Sequence, residues 1–78
     1  MKRHFTKLIK SGGKLREFNF RKLVSPNDNL YHIDVSDDRG NRVIFKVRKD
    51  GNTWKIEETG LPKWIYEVEE NLTEAIED

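Results

Sequence analysis

Residues 42–56 read Arg42-Val43-Ile44-Phe45-Lys46-Val47-Arg48-Lys49-Asp50-Gly51-Asn52-Thr53-Trp54-Lys55-Ile56. Val43, Phe45 and Val47 fall on one side of an extended chain, and Arg42, Ile44, Lys46 and Arg48 on the other. A period of two marks a strand with one face buried. Asp50-Gly51 then supplies turn chemistry, because a two-residue hairpin turn of the primed type needs positive φ, which Gly and Asp tolerate. Trp54 and Ile56 resume the alternation. The stretch reads as a β-hairpin, and so short a link forces antiparallel pairing.

The same grammar extends toward the N-terminus. Ser11-Gly12-Gly13-Lys14, Ser25-Pro26-Asn27-Asp28-Asn29 and Asp37-Asp38-Arg39-Gly40-Asn41 are turn clusters between runs rich in aromatic and β-branched residues. Five strands follow, at roughly 4–10, 15–24, 30–36, 42–48 and 53–58. Phe18 and Phe20 share one side of the second, and Tyr31, Ile33 and Val35 one side of the third. A slip of one residue would turn these sets to water, so the register is well specified. The first strand alternates poorly. Residues 1–10 are therefore either an edge strand or a partly ordered arm, with lysines that discourage edge-to-edge pairing.

After Gly60 the period changes. Leu61, Trp64, Ile65, Val68, Leu72, Ala75 and Ile76 recur at spacings of three and four, which predicts one helix with a single apolar stripe. Pro62 suits the helix start, where an amide hydrogen would go unbonded. Trp64 is expected to anchor this helix on the sheet. The fold class is α+β: a single small domain over 1–78, an antiparallel meander of four to five strands with one C-terminal helix packed across one face.

The chain has 78 residues, 37% charged and 35% hydrophobic, with a net charge of +1. Eight aromatic residues are enough to nucleate a core, so the composition is not that of a disordered chain. Cysteine is absent, which excludes disulfides, thiolate metal sites and cysteine nucleophiles. No apolar run approaches a membrane span and no signal-peptide pattern opens the chain, so the expected setting is cytoplasmic, without membrane contact. The small net charge conceals a polarity. Residues 1–24 carry 8 basic residues against Glu17 alone, whereas residues 50–78 carry 9 acidic residues against Lys55 and Lys63. Such separation bears on partners more than on fold.

Catalytic signatures are missing. His32 alternates with Asp34 along a strand, and such neighbours sit about 6–7 Å apart, too far for a base and its orienting carboxylate. Ser11, Ser25 and Ser36 lie in or beside turns, unlike a nucleophile elbow. Asp37, Asp38 and Asp50 lack the spacing of a calcium loop, and Glu67, Glu70, Glu74 and Glu77 read as the solvated face of the helix. Gly12-Gly13-Lys14 leads into a strand rather than the helix that a phosphate loop requires. The expectation is no enzyme, no catalytic or metal residues and no cofactor.

Surface chemistry is more informative. The parity that buries Phe45 and Ile33 turns Arg21, His32, Arg42, Lys46, Arg48 and Lys55 outward, interrupted by Glu17, Asp34 and Glu57. These six are candidate nucleic-acid contacts, since such a face can neutralise phosphates. A soluble outer face explains the same residues without any ligand. The layout is similar to that of small sheet-plus-helix nucleic-acid modules of the Pur-alpha and Whirly type, an analogy of architecture with no residue motif behind it. Two functions follow as expectations. The first is a non-enzymatic interaction or regulatory accessory domain, using an exposed sheet edge or the acidic helix toward a protein partner or in a weak homodimer. The alternative is a module for single-stranded DNA or RNA on the basic outer face.

Overall fold

The computed structural model describes residues 3–23 and 29–78. The predicted turn at Ser25–Asp28, the end of the second strand at Val24 and the charge of Lys2 lie outside the described residues. Five strands, β1 (His4–Ser11), β2 (Lys14–Lys22), β3 (Leu30–Ser36), β4 (Arg42–Asp50) and β5 (Thr53–Ile56), form one antiparallel sheet in sequence order. The sheet curls, and the C-terminal segment packs on its inner face. The α+β meander is therefore the fold. Residues 4–11 are an edge strand, paired along their length with β2 from His4↔Arg21 to Ser11↔Lys14.

Alternation places the core as expected. Phe18, Phe20, Tyr31, Ile33, Val35, Phe45, Val47 and Trp54 are buried on one face. Phe5 stacks on Phe20 with centroids 4.4 Å apart, and Tyr31 meets Trp54 edge-on at 5.1 Å. The β4–β5 turn sits one residue later than Asp50-Gly51 suggests. Asp50 pairs with Thr53, so Gly51-Asn52 is the two-residue turn, with φ of +66° at Gly51. Among the described residues no non-glycine has positive φ, which excludes type I′ here and fits type II′, with glycine first. Gly12 and Gly13, at +60° and +84°, satisfy the type I′ requirement between β1 and β2.

The C-terminal stripe folds as two helical pieces rather than one. Here α1 spans Lys63–Tyr66 and α2 spans Glu69–Glu77. Val68 between them has φ −107° and ψ +16°, and its N–H donates to the Ile65 carbonyl, a tightened turn that re-aims the chain. Pro62 stands just before α1. Across the break the apolar stripe stays on the sheet: Ile65 and Leu72 have zero exposure, and Val68 and Ala75 are buried beside them. Trp64, by contrast, is only half-buried. It packs against the rim of the core and anchors α1 on the β1–β2 hairpin. Its carbonyl accepts a hydrogen bond from Ser11 Oγ at 2.6 Å, and its ring lies 3.9 Å from the Arg16 guanidinium carbon.

Candidate functional site

The outer face follows from the pairing register. His4 is opposite Arg21, Arg21 opposite His32, and His32 opposite Lys46. Four basic side chains thus form one row across β1 to β4, about 15 Å long at the usual strand spacing. Among the described residues no carboxylate pairs with any of the four. The other three predicted contacts lie elsewhere on the face and are engaged. Arg42 Nη1 donates to Asp34 Oδ1 at 2.6 Å, Arg48 Nε to Glu57 Oε2 at 2.6 Å, and Lys55 Nζ lies 3.9 Å from Glu69 Oε1.

Sequence parity alone misses His4, because the first strand alternates too poorly to orient. The β1–β2 register supplies it. Asp34 explains why His32 has no orienting acid. Partial burial raises the Asp34 pKa, but hydrogen bonds from Asn19 and Arg42, with the Arg42 and His32 charges, leave it below the usual carboxylate range. Its Oδ1 takes hydrogen bonds from both Asn19 and Arg42. No group of three or more His, Asp or Glu side chains among the described residues is placed to share a metal ion. No helix among them is long and apolar enough to cross a membrane.

The two sheet edges differ in kind. Thr53 closes the β4–β5 hairpin opposite Asp50, and Glu57 N–H donates to Lys46 O, so the N–H groups of Trp54 and Ile56 point away from β4. Helix α2 captures both. Trp54 N–H donates to Thr73 Oγ1 and Ile56 N–H to Glu69 Oε2, each at 2.9 Å. Trp54 Nε1 also donates to Glu77 Oε2 at 2.8 Å, and Lys49 pairs with the same oxygen at 2.9 Å. These hydrogen bonds, Lys49 and Trp54 in that order, hold the Glu77 carboxyl below its ordinary pKa.

At β1 the situation is the reverse. Lys22 N–H donates to Arg3 O, so by antiparallel alternation Phe5, Lys7, Ile9 and Ser11 point their backbone groups to β2. His4, Thr6, Leu8 and Lys10 turn theirs away, and among the described residues α2 offers these groups no side-chain cap. Because α2 leans on β5, a groove opens between it and β1. Lys7, Leu8, Ile9 and Lys10 form one wall, and Asn71, Glu74, Ala75 and Asp78 the other. Leu8 and Leu15, diagonal neighbours on the outer face beside this edge, are 60% and 66% exposed. The open edge therefore combines free backbone groups, an acidic opposing wall and exposed leucine.

Comparison with protein-family models, with curated proteins and with solved structures finds no match to this chain.

Proposed function

We propose that the domain is a non-enzymatic interaction module that accepts an extended, basic segment along β1. One observation carries the reading: α2 caps the edge of β5 and leaves that of β1 open. Addition of a strand to an exposed edge draws affinity from main-chain hydrogen bonds and specificity from alternate side chains. The outward N–H and C=O groups of Thr6, Leu8 and Lys10 supply the first. Glu74 and Asp78 on the far wall supply the second, favouring lysine or arginine at the inward positions of the guest.

Binding of a labelled octapeptide of alternating lysine and valine tests this, with an alternating glutamate–valine peptide as control. Anisotropy should rise for the basic peptide alone, with amide exchange slowed at Leu8 and Lys10. Equal binding of both peptides, binding of neither, or protection elsewhere overturns the proposal.

A second reading rests on the unpaired row. Arg21 and Lys46, in one row with His4 and His32, form a basic track suited to a single-stranded phosphate backbone, and Ile44 lies exposed beside it. Each phosphate contact contributes about 0.7 to the log–log salt slope for single strands. Replacing Arg21 and Lys46 with Gln should lower that slope by about 1.4, whereas replacing the engaged Arg42 and Arg48 should change it little. An oligonucleotide titration across salt reads this directly, and absence of binding at low salt removes the reading.

A further inference from the structure

The segment that best fits the groove beside β1 is β1 itself. We infer that two copies of the chain pair through antiparallel β1 strands about a two-fold axis, with Leu8 opposite the partner's Leu8. The inference rests on the strand-accepting reading and names its occupant.

The argument starts from which backbone groups are available. His4, Thr6, Leu8 and Lys10 face outward, so a self-pair must match even-numbered residues with even-numbered residues. Centring the axis on Leu8 pairs Leu8 with the partner's Leu8 and Thr6 with the partner's Lys10, in both directions. That alignment uses the outward groups of Thr6, Leu8 and Lys10 from both copies. Moving the axis to Lys7 sets two lysines directly opposite each other, a repulsive pair. Moving it to Ile9 leaves Thr6 facing the turn at Gly12 and shortens the ladder.

Side chains agree with the Leu8-centred register on both faces. Outside, Leu8 and Leu15 of each copy join into one apolar strip, covering surface that a lone copy leaves 60% and 66% exposed. Inside, the partner's Lys7 comes opposite Ile9 and enters the groove whose far wall carries Glu74 and Asp78. Among the described residues none of Lys7, Glu74 or Asp78 has an ion-pair partner within the chain. Lysine pointing inward on an edge strand ordinarily blocks sheet extension. Here the acidic wall offers that lysine a counter-charge, and the opposed N- and C-terminal charges of the sequence acquire a structural use.

Sedimentation velocity at low and high salt, on the parent and two Leu8 variants, tests the inference. Leu8→Pro removes an outward N–H that β2 does not use, the edge position where proline is tolerated. Leu8→Lys keeps the N–H, sets like charges at the axis and serves if the proline variant unfolds. The parent should dimerise at low salt and dissociate as salt rises, and each folded variant should weaken dimerisation at least tenfold. A dimer unaffected by either variant, or insensitive to salt, overturns the inference. So does a monomer at low salt, and the lysine–valine octapeptide then separates the two claims. If that peptide binds, strand acceptance stands and self-pairing falls; if it does not, both fall.

Discussion

Arg16 is the residue whose position changes the reading of its surroundings. It shares the inward parity of Phe18 and Phe20, yet carries a charge, and its side chain is only 4% exposed. Three contacts make this tolerable. Nε donates to the Ser11 carbonyl at 2.8 Å, Nη1 meets Asp38 Oδ1 at 2.9 Å, and the guanidinium carbon lies 3.9 Å from the centroid of the Trp64 ring. Gly12 completes the packing, because a Cβ there would approach Trp64 Cβ and Arg16 Nη2 to 3.1 Å. Arg16 thus ties the β1–β2 hairpin, the β3–β4 loop and α1 together. Arg16→Ala should lower stability by about 2–3 kcal/mol, combining a charge-assisted hydrogen bond with a guanidinium–aromatic contact. Arg16→Lys should restore little of it, since an ammonium lacks the planar fork. Urea denaturation of the three proteins measures both, and a lysine variant as stable as the parent refutes the role of geometry. The parity of Arg16 was visible in the sequence, but its partners were not, because Asp38 and Trp64 are distant in the chain.

At the scale of elements, most of the strand layer was legible and most of the helix docking was not. Strand identity followed from aromatic and β-branched residues alternating with polar ones, as at Ile33 and Phe45, and from glycines placed at the turns. The helix break at Val68 has no Gly or Pro to announce it. It shows only in the backbone, where Val68 departs from helical dihedrals and separates α1 from α2. Edge capping was hidden too: Thr73 and Glu69 look like ordinary helix-surface residues until β5 lies beside them. The pairing of Arg42 with Asp34 and of Arg48 with Glu57 likewise needs cross-strand geometry. Thr73→Val tests the cap. It keeps the shape of the side chain but strands the Trp54 N–H, at a cost of about 1–2 kcal/mol. Thr73→Ser should retain the bond and most of the stability. Thermal unfolding that ranks valine equal to serine would show that the hydroxyl does not matter.

Across the whole molecule, three carboxylates with lowered pKa values each join parts that are separate in sequence. Asp34 bridges Asn19 of β2 and Arg42 of β4. Asp38 joins the β3–β4 loop to Lys14 and Arg16, whose hydrogen bonds, in that order, lower its pKa. Glu77 holds the end of α2 to Lys49 and Trp54. A carboxyl whose folded pKa lies below its unfolded value binds protons more readily when the chain is unfolded. Its stabilisation is therefore complete above the unfolded pKa and is lost as pH falls through the lowered folded one. All three shifts have this sign, so their losses coincide. The melting temperature should stay level from neutral pH down to about 5 and then fall steeply below about 4, where free carboxyls protonate. Tyr31 titrates in the opposite range, its pKa raised by burial and then by Glu77, and contributes nothing to the acid limb. Asp34→Asn, Asp38→Asn and Glu77→Gln should each lower the neutral-pH melting temperature and flatten the acid limb. High salt should weaken the exposed Asp38 and Glu77 contacts first, since screening acts within about 8–10 Å at moderate ionic strength. Melting curves from pH 2 to 8 for the parent and the three variants decide the matter. An acid limb as steep in the variants as in the parent would place the acid sensitivity in other groups.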